Sequence, residues 1–369
     1  MNVLILSVSD KRHMSMIAPY EEYLKNRKIR YDIIRINRYI KTDSVLYSNN
    51  DGCQVYEYPF VQTTDKNKIF KIVPFIRFRK YAKRLIKKKM YDFIIVWNEN
   101  TSLLFADVLF GYKNNYCLNY RDILEIPLTK KIQQRLINKA YFNTSPTPAN
   151  AFGNAEKFIT LYNRDTNVFN NVRPKNGLKK MGEVLNIVFM GLYGSAPKTF
   201  KKIAKLLGND DRYCLYFYGD GFDTYFDTYI KENNIRNVIT GGAFRYEDTF
   251  TYLEKADIIN SYYNNFDTSP NLKFVAGVKQ SYTPMLYIPA INDDNTTWAE
   301  ISEKYGFSYL INDNNLSSLA DDLQDWYFNL NFKEFKEGCD SFNQIVENSR
   351  QTIFDLLDKK IMNNGGNNE

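Results

Sequence analysis

The sequence predicts two α/β domains in tandem, each a doubly wound parallel sheet, facing each other across a cleft. Three observations predict it. Apolar runs of strand length alternate with helical segments from the N-terminus onward, and strands this uniformly apolar belong to parallel sheets covered on both faces. The alternation stops over residues 170–184, a polar stretch with Pro174, Gly177 and Gly182 and no periodicity, and then restarts. The length, 369 residues, exceeds what one core ordinarily fills.

In the first half, strands are expected over 2–9, 30–36, 91–97, 116–120 and 157–161. Helices are expected over 17–28, 77–89, 102–110 and 128–140. The helix over 17–28 rests on Ile17, Tyr20, Tyr23 and Leu24 at helical spacing. In the second half, strands are expected over 185–190, 213–218, 238–240, 258–262 and 284–288. Helices are expected over 197–207, with Pro197 in the first turn, and over 223–232, 246–255 and 272–280. Helices over 316–329, 332–346 and 349–360 close the chain. The domains expected are 1–170, a linker 171–184, and 185–348. A final helix, 349–362, crosses back to the first domain, and 363–369 is a disordered tail.

With 44% hydrophobic and 25% charged residues, wholesale disorder and fibrous architectures are excluded. No segment reaches the ~18–20 uninterrupted apolar residues of a membrane span. The start, Met1-Asn2-Val3-Leu4-Ile5-Leu6, reads as a strand and not as a signal peptide. Cys53, Cys117, Cys214 and Cys339 form no C-x-x-C pair, and there is one His. A disulfide framework and a transition-metal site are therefore not expected, and a cytoplasmic location is.

Residues 77–89 hold eight basic residues and no acid. Subtracting them leaves 41 of the 49 Lys+Arg against 42 Asp+Glu, so the rest of the chain is nearly neutral. Phe78, Tyr81, Ala82, Leu85 and Ile86 form one apolar stripe on this helix. Its charges are either a solvated face or an adsorption surface for anionic lipid headgroups. No zinc-finger, RNA-recognition or P-loop signature accompanies them, so nucleic acid is not an expected partner.

Ligands of doubly wound sheets bind at the carboxyl ends of the strands. Three expected strands of the second domain end in Gly there: 191–194, 219–221 and 241–242. Such turns let backbone approach a phosphate or sugar, and the following helices offer N–H groups to an anion. Neither G-x-G-x-x-G after the first strand nor G-x4-G-K-[ST] is present, which argues against dehydrogenase and P-loop chemistry. In the first domain the strand ends carry polar clusters instead: Asp10 and His13, then Arg121 and Asp122, then Asn163 and Arg164. All three are expected at one crevice.

The second half resembles the donor-binding half of GT-B glycosyltransferases, in particular the bacterial enzymes that build capsular, lipopolysaccharide and exopolysaccharide chains. The stretches that carry this are Ile187-Val188-Phe189-Met190-Gly191, Tyr216-Phe217-Tyr218-Gly219-Asp220-Gly221, Val238-Ile239-Thr240-Gly241-Gly242 and Tyr252-Leu253-Glu254-Lys255-Ala256-Asp257-Ile258-Ile259. The resemblance implies two Rossmann-like domains and a nucleotide-sugar donor. It places the donor against Gly191, Tyr193, Gly194, Lys198, Tyr218, Gly219, Gly221, Gly242, Ala243, Phe244 and Arg245. The diphosphate is expected near Thr268, Ser269, Asn271 and Lys273. Two family features are missing. Val275 and Thr283 stand where the E-x7-E pair of one retaining branch would be, and Leu192 and Tyr193 follow Gly191 in place of the G-R…K-G phosphate pair. Lys273, Arg245 and Lys198 are then the expected cations.

Inverting relatives place a His after the first strand, where His13 stands. The resemblance makes His13 the base that deprotonates an acceptor hydroxyl, with Asp10 or Asp122 orienting it or replacing it. Arg121, Asn163 and Arg164 are expected to bind the acceptor, a glycan or lipid-linked glycan. No metal or cofactor is expected, because cations and helix N-termini stabilise the leaving diphosphate. The basic helix would bring the protein to the inner face of the cytoplasmic membrane. A catalytically inactive nucleotide-sugar-binding or partner protein stays open as the alternative.

Overall fold

The computed structural model describes residues 2–14, 17–38, 45–50, 52–60, 68–122, 129–148, 157–164, 173–245, 248–264, 277–312 and 314–362. The chain divides into two compact units. One is Met1–Tyr162 with Asn348–Glu369, and the other is Asn163–Glu347.

The first unit runs β1 (Asn2–Ser7), α1 (Ala18–Asn26), β2 (Arg30–Asn37), β3 (Leu46–Asn50), β4 (Cys53–Pro59), α2 (Lys68–Lys89), β5 (Phe93–Trp97), α3 (Glu99–Leu104), α4 (Ala106–Gly111), β6 (Tyr116–Asn119), α5 (Lys130–Lys139), β7 (Phe142–Ser145) and β8 (Phe158–Thr160). The sheet order is β3-β4-β2-β1-β5-β6-β7-β8, and every pairing is parallel except β3 with β4. The central strands are apolar because both faces are covered. Val3–Leu6 and Phe93–Val96 have no solvent exposure. Phe78, Ala82 and Ile86 of α2 pack into the core of this unit. Burying each of the two large side chains contributes about 1.5–3 kcal/mol. The hairpin β3–β4 lies in a stretch with no regular pattern, so sequence periodicity did not reveal it.

The second unit runs β9 (Leu185–Met190), α6 (Pro197–Leu207), β10 (Tyr213–Tyr218), α7 (Asp227–Glu232), β11 (Val238–Gly241), α8 (Thr249–Leu253), β12 (Ile258–Ser261), α9 (Tyr282–Leu286), β13 (Ala290–Asp293), α10 (Thr297–Tyr305), β14 (Ser308–Ile311), α11 (Leu319–Asn329) and most of α12 (Phe332–Leu357). Its six strands are all parallel, in the order β11-β10-β9-β12-β13-β14. Thr199, Phe200, Ile203, Ala204 and Leu207 are the buried stripe of α6, and Pro197 opens that helix. Residues 173–184 lie with this unit: Lys179 pairs with Asp257 at 2.7 Å, and its N–H donates to the Tyr327 hydroxyl.

The strand expected over 284–288 is instead α9 and its exit. Pro284 lacks an N–H but sits in the first helical turn, where none is needed. Tyr287, at φ 53, ends the helix in the left-handed region, and the strand begins at Ala290. The helix expected over 102–110 is two short helices that meet at Phe105. The two helices expected over 332–346 and 349–360 are one, α12, from which the chain passes back into the first unit at Asn348. Of the helix expected over 272–280, residues 272–276 lie outside the described residues. Val278–Ser281 form a short 3₁₀ turn.

Each sheet has one point where the strand order reverses, between β1 and β5 in the first unit and between β9 and β12 in the second. Connections leave such a point toward opposite edges, which opens a crevice at the carboxyl ends of the two strands.

Candidate functional site

At the first of these points the chain leaves β1 through Ser7-Val8-Ser9-Asp10 and makes a 3₁₀ turn at Lys11–His13. The loop is tied to the end of β5. The N–H of Val8 donates to Thr101 Oγ1 at 2.9 Å, Asn98 Nδ2 to Ser9 Oγ at 2.7 Å, and Trp97 Nε1 to the His13 carbonyl at 3.1 Å. Asn98 adopts φ 65 and caps α3 through its side chain. The result is a fixed platform for one pair: His13 Nδ1 lies 3.1 Å from both carboxylate oxygens of Asp10. The Asp10 side chain is only 2% exposed, whereas His13 is 62% exposed. With Asp10 accepting at Nδ1, the lone pair of a neutral ring falls on Nε2, in a side chain that is mostly exposed.

The neighbouring strand end is built around Glu99. This buried carboxylate accepts the N–H groups of Arg121 and Asp122 at 3.1 and 3.2 Å, and burial raises its pKa. Arg121 lies over the Trp97 ring at 4.5 Å, and desolvation lowers its pKa to about 10. Asp122 is exposed. The structure thus brings Asp10, His13, Arg121 and Asp122 to one sheet edge. Asn163 and Arg164, expected at the same edge, belong to the second unit. The last sheet bond of this segment is from Leu161 to Ser145, after which the Asn163 carbonyl accepts Ser281 Oγ and Arg164 reaches Asn343 Oδ1.

In the second unit the Gly turns are mutually wedged. A Cβ on Gly219 would lie 1.7 Å from the Gly191 carbonyl oxygen, and φ there is +136°, so the position tolerates no side chain. Gly191 donates to the Tyr218 carbonyl and Gly219 to that of Gly241. Tyr193 stacks on Tyr225, and Gly221 faces Tyr193. Tyr218 packs on Tyr252 at 4.2 Å and Tyr252 on Phe244 at 4.7 Å, making an aromatic surface beside Gly242 and Ala243. Gly194 and Lys198 are exposed at the start of α6. Arg245 is held by both oxygens of Asp248 at 2.9 Å, so its guanidinium is already engaged. Thr268, Ser269, Asn271 and Lys273 lie outside the described residues.

Two residues that sequence reading did not single out stand at the second reversal point. Asp293, at the end of β13, accepts the N–H groups of Tyr263 and Asn264 beyond β12 at 3.0 and 2.8 Å. Burial pushes its carboxyl up to about 6. It repeats in this unit what Glu99 does in the other. Lys279 has a half-buried stem, but its Nζ is shut off from solvent. That amine lies 3.7 Å from the Phe189 ring centroid and 4.5 Å from that of Tyr263. A Cβ on Gly191 would come within 3.2 Å of it. It has no hydrogen-bond partner among the described residues, and desolvation lowers its pKa well below the usual lysine range. The run Gly277-Val278-Lys279-Gln280-Ser281 has no motif that would have announced this. Thr283, at the second expected Glu position, is fully buried. Among the described residues no group of three or more His, Cys, Asp or Glu is gathered as a metal site.

No protein-family model and no curated protein matches the sequence. Solved structures do. Sucrose-phosphate synthase from Thermosynechococcus elongatus aligns with a TM-score of 0.68 at 11% identity, over 97% of this chain and 99% of that one. Anabaena HepE, solved in complex with UDP and glucose, gives 0.62 at 13% identity, over 97% and 100%. The lipopolysaccharide outer core galactosyltransferase WaaB gives 0.60 at 11%, over 99% and 100%. At these identities the likeness is one of fold: two Rossmann-like domains, the fold of GT-B glycosyltransferases.

Proposed function

We propose that the protein is a glycosyltransferase that moves a sugar from a nucleotide-sugar donor to a glycan acceptor in bacterial surface polysaccharide synthesis. The observation that carries this reading is the Asp10–His13 pair, a buried carboxylate on Nδ1 of an exposed imidazole at a sheet reversal point. In the inverting reaction the acceptor hydroxyl oxygen attacks the anomeric carbon. Its proton passes to His13 Nε2. The bond from the anomeric carbon to the diphosphate oxygen breaks, and its electron pair leaves with the diphosphate. Asp10 holds the ring and stabilises the imidazolium that forms. Asp122 is the reserve base, and Arg121 a contact for the acceptor.

On the donor side, the reading places the nucleotide against Tyr193, Tyr218, Gly219, Gly221 and the Gly242–Arg245 turn. The diphosphate meets the first turn of α6 and Lys198, with Lys273 as a further cation, and Lys279 swings its amine out from beside Gly191 to reach it. The transfer is taken as metal-independent, since these cations and the helix N-terminus supply the charge. The acceptor is a lipid-linked glycan presented where α2 meets the inner face of the cytoplasmic membrane.

A second reading, a nucleotide-sugar-binding module without turnover, is favoured by one observation. Thr283 replaces a carboxylate and is fully buried, so that position offers no charge to a donor. Calorimetric titration with a panel of nucleotide sugars, followed by assay of released nucleotide, separates the two. Binding with release supports the transferase, binding without release supports the module, and absence of any binding sinks both.

A further inference from the structure

The eight cations over residues 77–89 are one undivided run in the sequence, and the structure splits them. Three are spent inside the fold. Arg79 donates to the Leu104 carbonyl at 2.8 Å and pairs with Asp107 at 2.8 Å. Lys83 pairs with the same Asp107 at 2.6 Å. Lys89 pairs with Asp32 at 3.3 Å and donates to Gln54 Oε1. The other five, Arg77, Lys80, Arg84, Lys87 and Lys88, are exposed, and no acid pairs with them among the described residues.

These five do not scatter around the helix. Steps of three and four residues join Arg77, Lys80, Arg84, Lys87 and Lys88 on the face opposite the buried Phe78, Ala82 and Ile86. The same row continues toward the start of α2 through Ile76 and Ile72, four residues apart. Both are more than half exposed, at 56% and 55%. A helix packed only on its own core gains nothing from two exposed isoleucines beside five cations that pair with no acid among the described residues. A helix lying in a lipid headgroup layer does: its aliphatic residues enter the acyl boundary and its cations meet the phosphates.

We propose that this face of α2 is a docking surface for an anionic phospholipid bilayer. The charge is complementary, and it is local, because the remainder of the chain is close to neutral. The exposed isoleucines favour lipid over nucleic acid, whose phosphates offer them no apolar layer. The inference deepens the membrane-delivered acceptor of the proposed function. Its test reads lipid binding without turnover, so its failure leaves the transfer reading standing.

The test is sedimentation of the full chain with vesicles of phosphatidylcholine alone and of phosphatidylcholine with phosphatidylglycerol. The wild type is expected to bind only the anionic vesicles and to be released by salt. Each basic residue near such a surface adds roughly a fivefold factor, so Arg84→Gln/Lys87→Gln/Lys88→Gln is expected to weaken binding by roughly 100-fold. Ile72→Ser/Ile76→Ser is expected to weaken it without changing the salt dependence. Arg79→Gln/Lys83→Gln also removes positive charge, but from the paired set. It is the control, expected to bind as wild type, with circular dichroism checking that each variant is folded. Equal binding by the triple Gln variant overturns the proposal. So does a control that loses as much per charge as the triple variant. Tighter binding of a single-stranded RNA than of anionic vesicles, lost in the triple Gln variant, reassigns the face to nucleic acid.

Discussion

Replacing Lys279 by Met keeps the reach of the stem and deletes the amine. In the folded unit that amine is desolvated and rests on Phe189 and Tyr263, with no hydrogen-bond partner among the described residues. Leaving a buried polar group unpaired costs about 1–3 kcal/mol. Contact with aromatic faces offsets about 0.5–2 kcal/mol of this. Lys279→Met is therefore expected to match the wild type in stability or exceed it by about 1 kcal/mol, roughly 2–4 °C in Tm for a cooperative unit of 150–250 residues. The pH dependence has a definite sign. Desolvation holds the folded-state pKa well below 10.5, so just under pH 10.5 the unfolded chain binds a proton that the folded chain does not. The wild type should gain on the variant as pH rises toward 10.5. Binding of the diphosphate of the proposed donor should move the other way. Loss of a charge-assisted contact of about 1.5–3 kcal/mol raises Kd by roughly 10–150-fold. Urea denaturation and calorimetric titration with UDP, and with pyrophosphate as the minimal probe, read the two effects. A variant that binds both ligands as wild type does and is less stable would refute the reasoning, because Lys279 would then be a packing residue.

Other perturbations test the rest of the site. His13→Ala is expected to lower turnover by about 10²–10⁴-fold with donor affinity intact, and Asp10→Asn to follow it in the same direction; a fully active His13→Ala protein would move the base to Asp10 or Asp122. Gly219→Ala forces a methyl against the Gly191 carbonyl at a position with φ +136°. It should cost at least about 2 kcal/mol in urea denaturation and weaken donor binding with it. Asp293 has a folded pKa of about 6, above its unfolded 3.8, so its stabilising contribution is present below 3.8 and lost as pH rises through 6. Relative to Asp293→Asn, the wild type should gain up to roughly 3 kcal/mol as pH falls from 7 to 4; a flat difference would show that the carboxyl is not desolvated.

The tandem α/β architecture was legible in the chain because parallel strands covered on both faces must be apolar. Phe93–Trp97 and Leu185–Met190 announce themselves by that property alone. The Gly turns after β9, β10 and β11 and the His13 loop were legible for a related reason: close backbone approach and a lone imidazole leave few alternatives in residue type. Strand order was not legible, because it is set by pairings between segments far apart in sequence. With it went the two reversal points and the recognition of Lys279, whereas Asp10 and His13 were already expected at the carboxyl end of the first strand. Asn163 and Arg164 read as a cluster of the first domain, yet the chain leaves that sheet at Leu161 and gives them to the second unit. Glu99 and Asp293 looked like ordinary polar residues, and only the neighbouring strand ends, two N–H groups in each case, show what they hold. The basic run of α2 is the plainest instance. Composition counted eight cations, but which of them are spent on Asp107 and Asp32 and which have no acid partner among the described residues was decided by where the fold put those two carboxylates.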